Sequence, residues 1–184
     1  MVLEERYFLG RTYAELTDTP IGKVSFVAGD RGLQQIAFAA LKNLKESSEG
    51  DEKHPSLKGL QTLSDLIQEM NAYFFGLRKT FSIDLDWGVL KGFQLRVLQR
   101  TAEIPYGQVL TYGQLGRELG QPGAARAVGQ ALGANPMPIV IPCHRVIGSD
   151  GKLHGYAGGL AKKAFLLNLE GHRIEKDRLV QTLG

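Results

Sequence analysis

The chain has 184 residues, of which 43% are hydrophobic and 22% are charged, and its formal net charge is +3. A chain of this length and composition forms one globular domain or two small ones. No apolar run approaches the roughly 20 residues that a bilayer-spanning helix needs, and the N-terminus lacks the apolar core of a signal peptide, so we expect an intracellular protein with no membrane partner.

The charge is distributed unevenly along the chain. Residues 1–90 carry 10 Lys and Arg against 13 Asp and Glu, a net charge of −3, whereas residues 91–184 carry 12 against 6, a net charge of +6. A basic half is typical of a protein that binds a polyanion, although lysine-rich solvated surfaces are also common. Nucleic acid is therefore the first partner to consider.

The first half of the chain alternates apolar stretches with turn residues at the spacing of β-hairpins. The predicted strands are residues 7–15, 23–28, 33–39 and 81–85. A helix is predicted over residues 64–75, where apolar residues recur at helical spacing and Gly76 follows. The polar segment 42–55 is predicted to be a surface loop or a solvated helical extension. We expect residues 1–88 to form a small α/β domain.

The second half, residues 89–184, changes to helices separated by Gly and Pro. Helices are predicted over residues 93–101, from about Thr111, over 124–133 and over 160–169. Thr111 and Gln114 have the spacing of a capping box, which marks a helix N-terminus. Two short helices joined by the tight turn 120–123 indicate a helix-turn-helix motif. The expected fold class is α+β, with a mostly helical second domain.

The second helix of this motif has almost no side-chain bulk. Its small residues are Gly123, Ala124, Ala125, Ala127, Gly129, Ala131, Gly133 and Ala134. Its apolar residues Ala127, Val128, Ala131 and Leu132 are predicted to share one face. Small residues allow close approach, either to a protein neighbour or to a nucleic-acid groove. Arg126 and Gln130 are four residues apart and share one face, which favours the groove.

The only cysteine, Cys143, is followed directly by His144. Prolines at positions 136, 138 and 142 predict a rigid, non-helical approach to it. Adjacent residues of a strand point to opposite faces, so pairing of the thiol with the imidazole requires a turn or a helix start. The alternative is an inert, buried thiol.

A cofactor or metal ion has little support in the sequence. One cysteine cannot form an internal disulfide, and with four histidines it offers no convincing zinc site, although a His-carboxylate site stays open. We expect no metal and no cofactor.

Several motifs occur in order between residues 93 and 173: YGQVLTYGQL, RAVG, NPMPI, PCHR, GYAGG and LLNLEG. Together they resemble the O6-alkylguanine-DNA alkyltransferase family. The first half is similar to that family's ribonuclease-H-like domain, mainly through TPIGKVSFVAGDRGLQQIAF. The resemblance implies DNA repair by direct damage reversal, in which an alkyl group moves irreversibly from O6 of guanine in duplex DNA to a cysteine of the protein, once per molecule. O4-alkylthymine is a further candidate substrate.

The resemblance also implies catalytic roles. Cys143 is the expected nucleophile, and His144 is the expected base, acting through a bridging water. Glu170 would orient His144 and stabilise its charge, as in the triads of hydrolases. Tyr112 would help to rotate the nucleotide and would donate a hydrogen bond to guanine N3. Asn135 would tie the helix of small residues to the active-site approach.

A base stacked in duplex DNA must be extruded before it can react. The resemblance implies that Arg126 fills the resulting gap while its helix lies in the minor groove. The implied DNA-binding residues are Arg126, Ala125, Ala127, Gly129, Gln130 and Tyr112. The implied pocket residues are Pro138, Tyr156, the Val146 carbonyl and the N–H of Ala157, where the family often has Ser. Arg145 is expected to form a structural ion pair, and His54, His154 and His172 to be non-catalytic.

Two other functions stay open on the sequence. A cysteine hydrolase would need turnover and an oxyanion hole, and the helix-turn-helix with Arg126 argues against it. A non-catalytic alkylated-DNA-binding protein or regulator would lack the reactive cysteine, whereas Cys143 is present. We expect a monomer bound to double-stranded DNA, in the cytoplasm or, in a eukaryote, the nucleus.

Overall fold

The structure is a computed structural model, and it describes residues 5–8, 11–39 and 56–182. The chain divides into two compact units, Met1–Val89 and Leu90–Gly184. The predicted polar loop 42–55, which contains His54, lies outside the described residues. None of the helices in the described ranges combines the length and the apolar character that crossing a membrane requires.

The first unit contains a four-stranded antiparallel sheet with strands in chain order. The strands are β1 (Glu5–Phe8), β2 (Arg11–Leu16), β3 (Val24–Gly29) and β4 (Gly32–Ala37). The prediction of one strand over residues 7–15 was wrong, because the chain reverses between Phe8 and Arg11, which are paired with each other. Both faces of the sheet's centre are buried, since every residue of β3 is buried.

Helix α1 (Leu57–Phe74) packs on β2, β3 and β4. It begins seven residues before the predicted start because Ser56 caps it, accepting a hydrogen bond from the Gly59 N–H at 2.9 Å. A Cβ at Gly59 would lie 2.9 Å from Thr12 Oγ1, so glycine lets the first turn of the helix sit directly on the sheet.

The predicted strand over residues 81–85 is also wrong. This segment forms only one parallel bridge, between Leu33 and Leu85, with the Leu33 N–H donating to Asp84 and the Asp86 N–H donating to Leu33. Pairing stops there because the Asp86 carboxylate accepts from the Gly88 N–H at 3.0 Å and turns the chain into a 3₁₀ turn, Trp87–Val89.

The second unit is mostly helical, as predicted. Its helices are α2 (Gly92–Ala102), α3 (Tyr112–Glu118), α4 (Ala125–Gly133) and α5 (Leu160–Leu169). Its strands are β5 (Leu110–Thr111), β6 (Val146–Ile147), β7 (His172–Glu175) and β8 (Arg178–Thr182). Strands β5 and β6 are parallel, and β7 and β8 form an antiparallel hairpin. Helices α2, α3 and α4 contact one another.

Helices α3 and α4 form the predicted helix-turn-helix. The capping box is confirmed, since Thr111 Oγ1 accepts from the Gln114 N–H and the Gln114 side chain accepts from the Thr111 N–H. The turn between the helices is tight, because a Cβ on Gly116 would lie 3.2 Å from the Gln121 carbonyl oxygen. Of the four apolar residues predicted to share one face of α4, Val128, Ala131 and Leu132 are buried and Ala127 is exposed.

The β7–β8 hairpin was not predicted. Its turn places Lys176 and Asp177 at φ values of 48° and 56°, the left-handed region that a two-residue hairpin turn requires. Asn-Gly is the usual sequence signal for such a turn, and Lys-Asp gives a weak one.

Candidate active site

The approach to Cys143 is non-helical, as the prolines predict. It includes Ile139, a buried β-branched residue at φ 76°, a conformation that costs on the order of 1–3 kcal/mol outside glycine. The backbone around it is held by a hydrogen bond from the Ile141 N–H to the Met137 carbonyl at 2.9 Å. The backbone of this segment therefore holds Cys143 in a fixed position.

Cys143 begins a one-turn 3₁₀ helix, Cys143–Arg145. The requirement for a turn at this point is thus met. With three residues per turn, successive side chains point about 120° apart, instead of to opposite faces as in a strand. All three side chains of the turn are buried.

Asn135 joins the end of α4 to the nucleophile. Its Nδ2 donates to Cys143 Sγ at 3.2 Å and to the Ile141 carbonyl at 2.9 Å, while its Oδ1 accepts from the Met137 N–H at 3.0 Å. Both the Nδ2 and the Oδ1 of Asn135 therefore form hydrogen bonds with the segment that leads to Cys143. Asn135 thus connects the residues that follow α4 directly to the Cys143 sulfur.

The Cys143 thiol is 7% exposed and is protonated in the resting protein. Burial raises its pKa, while the Asn135 hydrogen bond, the Lys163 charge and two backbone N–H groups oppose the increase. A thiolate is the reactive form of cysteine, so the site needs a base that removes the proton during the reaction.

His144 is buried and neutral. Burial lowers its pKa, Glu170 opposes this, and the positive charges of Arg145 and Lys163 lower it further. Its Nε2 lies 2.9 Å from Glu170 Oε1. A carboxylate only accepts, so Nε2 carries the ring proton and Nδ1 carries the lone pair. Nδ1 is buried and has no hydrogen-bond partner among the described residues, which leaves it able to accept a proton.

Glu170 is ionised and fixed at the end of α5. Burial alone would raise its pKa, but the hydrogen bonds and charges of His144 and Arg145 outweigh burial and hold the pKa well below its usual range. Arg145 donates to both carboxylate oxygens at 2.8 Å, which confirms the predicted structural ion pair. The Gly107 N–H also donates to Glu170, at 3.3 Å.

A cavity of about 530 Å³ brings together several of the predicted DNA-binding and pocket residues. It is lined by Tyr112, Ala125, Arg126, Gly129, Gly133, His154, Gly155, Tyr156 and Ala157. Cys143 is not among the lining residues. His144 does not line the cavity either, but its ring meets the ring of Tyr156, a lining residue, edge-on at a centroid distance of 6.5 Å.

The remaining predicted residues lie elsewhere. Ala127 and Gln130 are exposed on α4 outside the cavity lining, and Pro138 is buried beside Ile139. The Val146 carbonyl, predicted to face the substrate, accepts a hydrogen bond from Lys163 Nζ at 2.7 Å, which leaves it one further lone pair. Arg126 is exposed, with no hydrogen bond or ion pair to any of the described residues.

Lys163 was missed by the sequence analysis, although a signal existed. It lies three residues after Leu160 and three before Leu166, on the apolar face of α5, and it is 0% exposed. A lysine in the middle of an apolar helical stripe is unusual, because a charged side chain is almost never fully buried without a partner. Its Nζ approaches Tyr112 and two backbone carbonyls.

The comparisons with known proteins agree for both halves of the chain. Residues 12–87 match the family model described as 6-O-methylguanine DNA methyltransferase, ribonuclease-like domain. Residues 92–172 match the model described as 6-O-methylguanine DNA methyltransferase, DNA binding domain. Together the two models span both units of the structure.

Individual relatives extend over most of the chain. A methylated-DNA--protein-cysteine methyltransferase of Mycobacterium bovis is 41% identical over 87% of this chain and 93% of its own length. A protein of the same name from Methanosarcina acetivorans is 38% identical over 86% of this chain and 98% of its own length. The crystal structure of Mycobacterium tuberculosis OGT in complex with DNA superimposes with a TM-score of 0.69 at 38% identity, over 86% of this chain and 92% of that one.

Proposed function

The chain belongs to the methylated-DNA–protein-cysteine methyltransferase family, and from that membership we propose that Cys143 is the residue that receives the alkyl group. The family inferred from the sequence motifs is thereby confirmed. The protein is a DNA-binding repair methyltransferase. The assignment of roles to individual residues rests on the geometry of its own site.

The observation that carries the proposal is the hydrogen bond from the Asn135 amide to the Cys143 thiol, together with the buried His144 ring, whose Nδ1 has no hydrogen-bond partner among the described residues. Asn135 donates to Cys143 Sγ, and this hydrogen bond is strongest when the sulfur is negatively charged. His144 has its free lone pair on Nδ1, and Glu170 stabilises the imidazolium that forms when Nδ1 accepts the thiol proton through a bridging water. Cys143 is therefore a thiol in the resting site, and the thiolate forms only when the thiol proton leaves the sulfur.

The transfer is a nucleophilic displacement at the alkyl carbon. The Cys143 sulfur forms a bond to the alkyl carbon as the bond between that carbon and guanine O6 breaks, and the electron pair of the broken bond goes to the guanine. Tyr112, which lines the cavity, donates toward guanine N3 and so compensates the developing charge. The product is a thioether, which has no base-labile bond, so each molecule reacts once.

The cavity and α4 supply the DNA contact. We assign Arg126 to the gap left by the extruded base, since its exposed guanidinium lies at the cavity rim and is not engaged by any other described side chain. The small residues Ala125 and Gly129 line the same rim and let α4 approach the minor groove closely. The cavity volume lies within the range of about 300–1,000 Å³ that is typical of ligand sites.

The cellular location of the protein follows from its substrate, which is DNA. The protein works where the cell holds its DNA, which is the cytoplasm of a prokaryote or the nucleus of a eukaryote. Cys143, Asn135, His144 and Glu170 all come from one chain, so a monomer has a complete site.

Incubation with duplex DNA that contains O6-methylguanine is expected to add one methyl group to Cys143 and then to stop. Intact-protein and peptide mass spectrometry measures the nucleophile and the stoichiometry together. Undamaged duplex of the same sequence is the control. Sustained turnover with unmodified protein, or methylation at a different residue, would contradict the assignment.

Replacing Arg126 by alanine is expected to slow repair of duplex DNA by about 10- to 100-fold, because extrusion of a stacked base costs a few kcal/mol and each 1.4 kcal/mol is tenfold. Reaction with the free base O6-benzylguanine should change little, since a free base needs no extrusion. Arg173→Ala, which removes an exposed arginine outside the cavity lining, is the matched control. Equal losses with both substrates would argue against the role of Arg126.

A further inference from the structure

The β7–β8 hairpin contains none of the residues that the proposed reaction uses. It follows Glu170 in the chain and contributes no residue to the cavity lining. Its turn holds Lys176 and Asp177 in the left-handed region, which is uncommon for residues other than glycine. The hairpin nevertheless contacts the loop that supplies residues 154–157 of the cavity lining, which we call the cavity wall.

The loop between β6 and α5 pairs with strand β8 before it reaches the cavity. The Leu153 N–H donates to the Asp177 carbonyl at 2.7 Å, and the Leu179 N–H donates to the Gly151 carbonyl at 2.9 Å. An antiparallel bridge lies between these two hydrogen bonds. Residues 151–153 therefore extend the hairpin as a short third strand beside β8.

Apolar packing reinforces the same contact. Leu153 is buried and belongs to a cluster with Ile147 and Leu167. Ile174 and Leu179, which lie opposite each other across the hairpin, pack against this cluster. The hairpin thus holds the loop through side chains as well as through backbone hydrogen bonds.

The segment that pairs with β8 ends directly before the cavity wall. His154 follows Leu153 in the chain, and its carbonyl accepts a hydrogen bond from Lys163 Nζ at 2.9 Å. The pairing with β8 and this hydrogen bond act on neighbouring residues. The position of the first wall residue therefore depends on the pairing of residues 151–153.

The cavity wall has little rigidity of its own. Three glycines, at positions 155, 158 and 159, lie in the wall and directly after it, and glycine adopts many backbone conformations. A hydrogen bond from the Gly159 N–H to the Tyr156 carbonyl at 2.9 Å closes the turn that leads into α5. The wall therefore takes its position from the segments on either side of it, residues 151–153 and α5.

We propose that the β7–β8 hairpin positions the cavity wall for binding of the alkylated base, and that Leu179 is its positioning residue. The Leu179 N–H bonds to the Gly151 carbonyl, and the Leu179 side chain packs on the cluster around Leu153. Leu179 thus joins both parts of the contact. The inference rests on the proposed function, because it requires that the cavity receives the alkylated guanine.

Loss of this contact is expected to weaken binding of the base and to leave the transfer step unchanged. If the wall occupies its binding position for only a fraction of the time, the apparent dissociation constant rises by the inverse of that fraction. A bound base holds the wall in place, so the limiting rate at saturation is kept. A purely structural role of the hairpin would lower the unfolding temperature without changing the affinity of the folded protein.

The test compares Leu179→Ala with the wild type, both as the full chain, in single-turnover reactions with the free base O6-benzylguanine. We expect the half-saturating concentration to rise about 10-fold, which corresponds to a wall correctly placed about a tenth of the time, while the limiting rate changes less than about 2-fold. Affinity for undamaged duplex DNA, which places no base in the cavity, should stay the same. Val180→Ala is the matched control, because Val180 is on the same strand and is 49% exposed.

Gly151→Val breaks the same contact without altering the buried cluster. Gly151 has a φ of 80°, and a Cβ at this position would lie 3.3 Å from the Leu179 carbonyl oxygen, so valine pushes the loop away from β8. It should raise the half-saturating concentration by a similar factor. This variant decides the question if Leu179→Ala fails to fold, which thermal unfolding would reveal. Hydrogen exchange should become faster at residues 151–157 in both variants and stay unchanged at residues 135–143.

The outcomes separate the two proposals. Half-saturating concentrations within about 2-fold of the wild type in the folded variants, or a loss confined to the limiting rate, overturn the role of the hairpin and leave the proposed function standing. A wild type that reacts with duplex containing O6-methylguanine but not with O6-benzylguanine also overturns the role of the hairpin, since the cavity then does not receive the base. A wild type that reacts with neither substrate overturns both proposals.

Discussion

A variant with serine in place of Cys143 is expected to lose methyl transfer and to keep its affinity for duplex DNA. The Asn135 amide can donate to a serine oxygen as it does to the sulfur, so the fold of the approach should persist. A hydroxyl is a far weaker acid than a thiol and a far poorer nucleophile toward an alkyl carbon than a thiolate. Loss of an essential nucleophile reduces rates by on the order of a million-fold in a well-studied hydrolase.

Transfer is measured as methyl incorporation by mass spectrometry, and binding by fluorescence anisotropy with a labelled duplex. Cys143→Ala serves as the matched control, because it removes the same nucleophile without introducing a hydroxyl. Both variants should bind equally well and fail to react. Residual transfer in either variant would place the acceptor elsewhere in the chain.

The sequence predicts best those features that depend on neighbouring residues. The capping box at Thr111 and Gln114 and the turn that Cys143 and His144 require follow from local backbone rules, and both are present. The bounds of α5 were also predicted, since its apolar residues end at Leu169 and Gly171 follows. Local hydrogen bonding and side-chain spacing determine these helix ends and turns, so they can be predicted without knowledge of tertiary contacts.

Features that depend on tertiary contacts were missed. The apolar neighbours of Lys163 indicate that it is buried, but its partners are not visible in its immediate sequence, because Tyr112, Val146 and His154 lie up to 51 residues away. The strand expected at residues 81–85 fails for a similar reason, since the Asp86 carboxylate diverts the chain after one bridge to Leu33. Strand propensity predicts such a segment poorly when a single tertiary contact decides whether it pairs with a neighbouring strand.

Burial is the main reason why the pKa of His144 stays low beside Glu170, and the charge of Arg145 adds to this effect. A carboxylate beside an imidazole normally raises its pKa, but here the guanidinium shares the carboxylate and compensates its charge. The site therefore combines an orienting carboxylate with a base that is neutral until the thiol proton arrives.

Replacing Arg145 by methionine is accordingly expected to destabilise the protein by about 3–5 kcal/mol, because it leaves the buried Glu170 charge without its bidentate partner. The measurement is urea-induced unfolding at neutral pH. The matched control is Arg173→Met, which breaks an exposed pair with Glu175, whose side chains are 61% and 51% exposed. That change should cost less than about 1 kcal/mol.

Acid provides an independent check on the same residue. The pKa of Glu170 is depressed in the folded state, so its ionisation stabilises the fold above its ordinary value of 4.5, and this contribution is lost as the pH falls below that value. Arg145→Met removes part of the depression, so its stability should decline less steeply between about pH 5 and pH 3 than that of the wild type. Equal neutral-pH stabilities of Arg145→Met and Arg173→Met, with parallel acid profiles, would show that the buried pair does not hold Glu170 in its charged form.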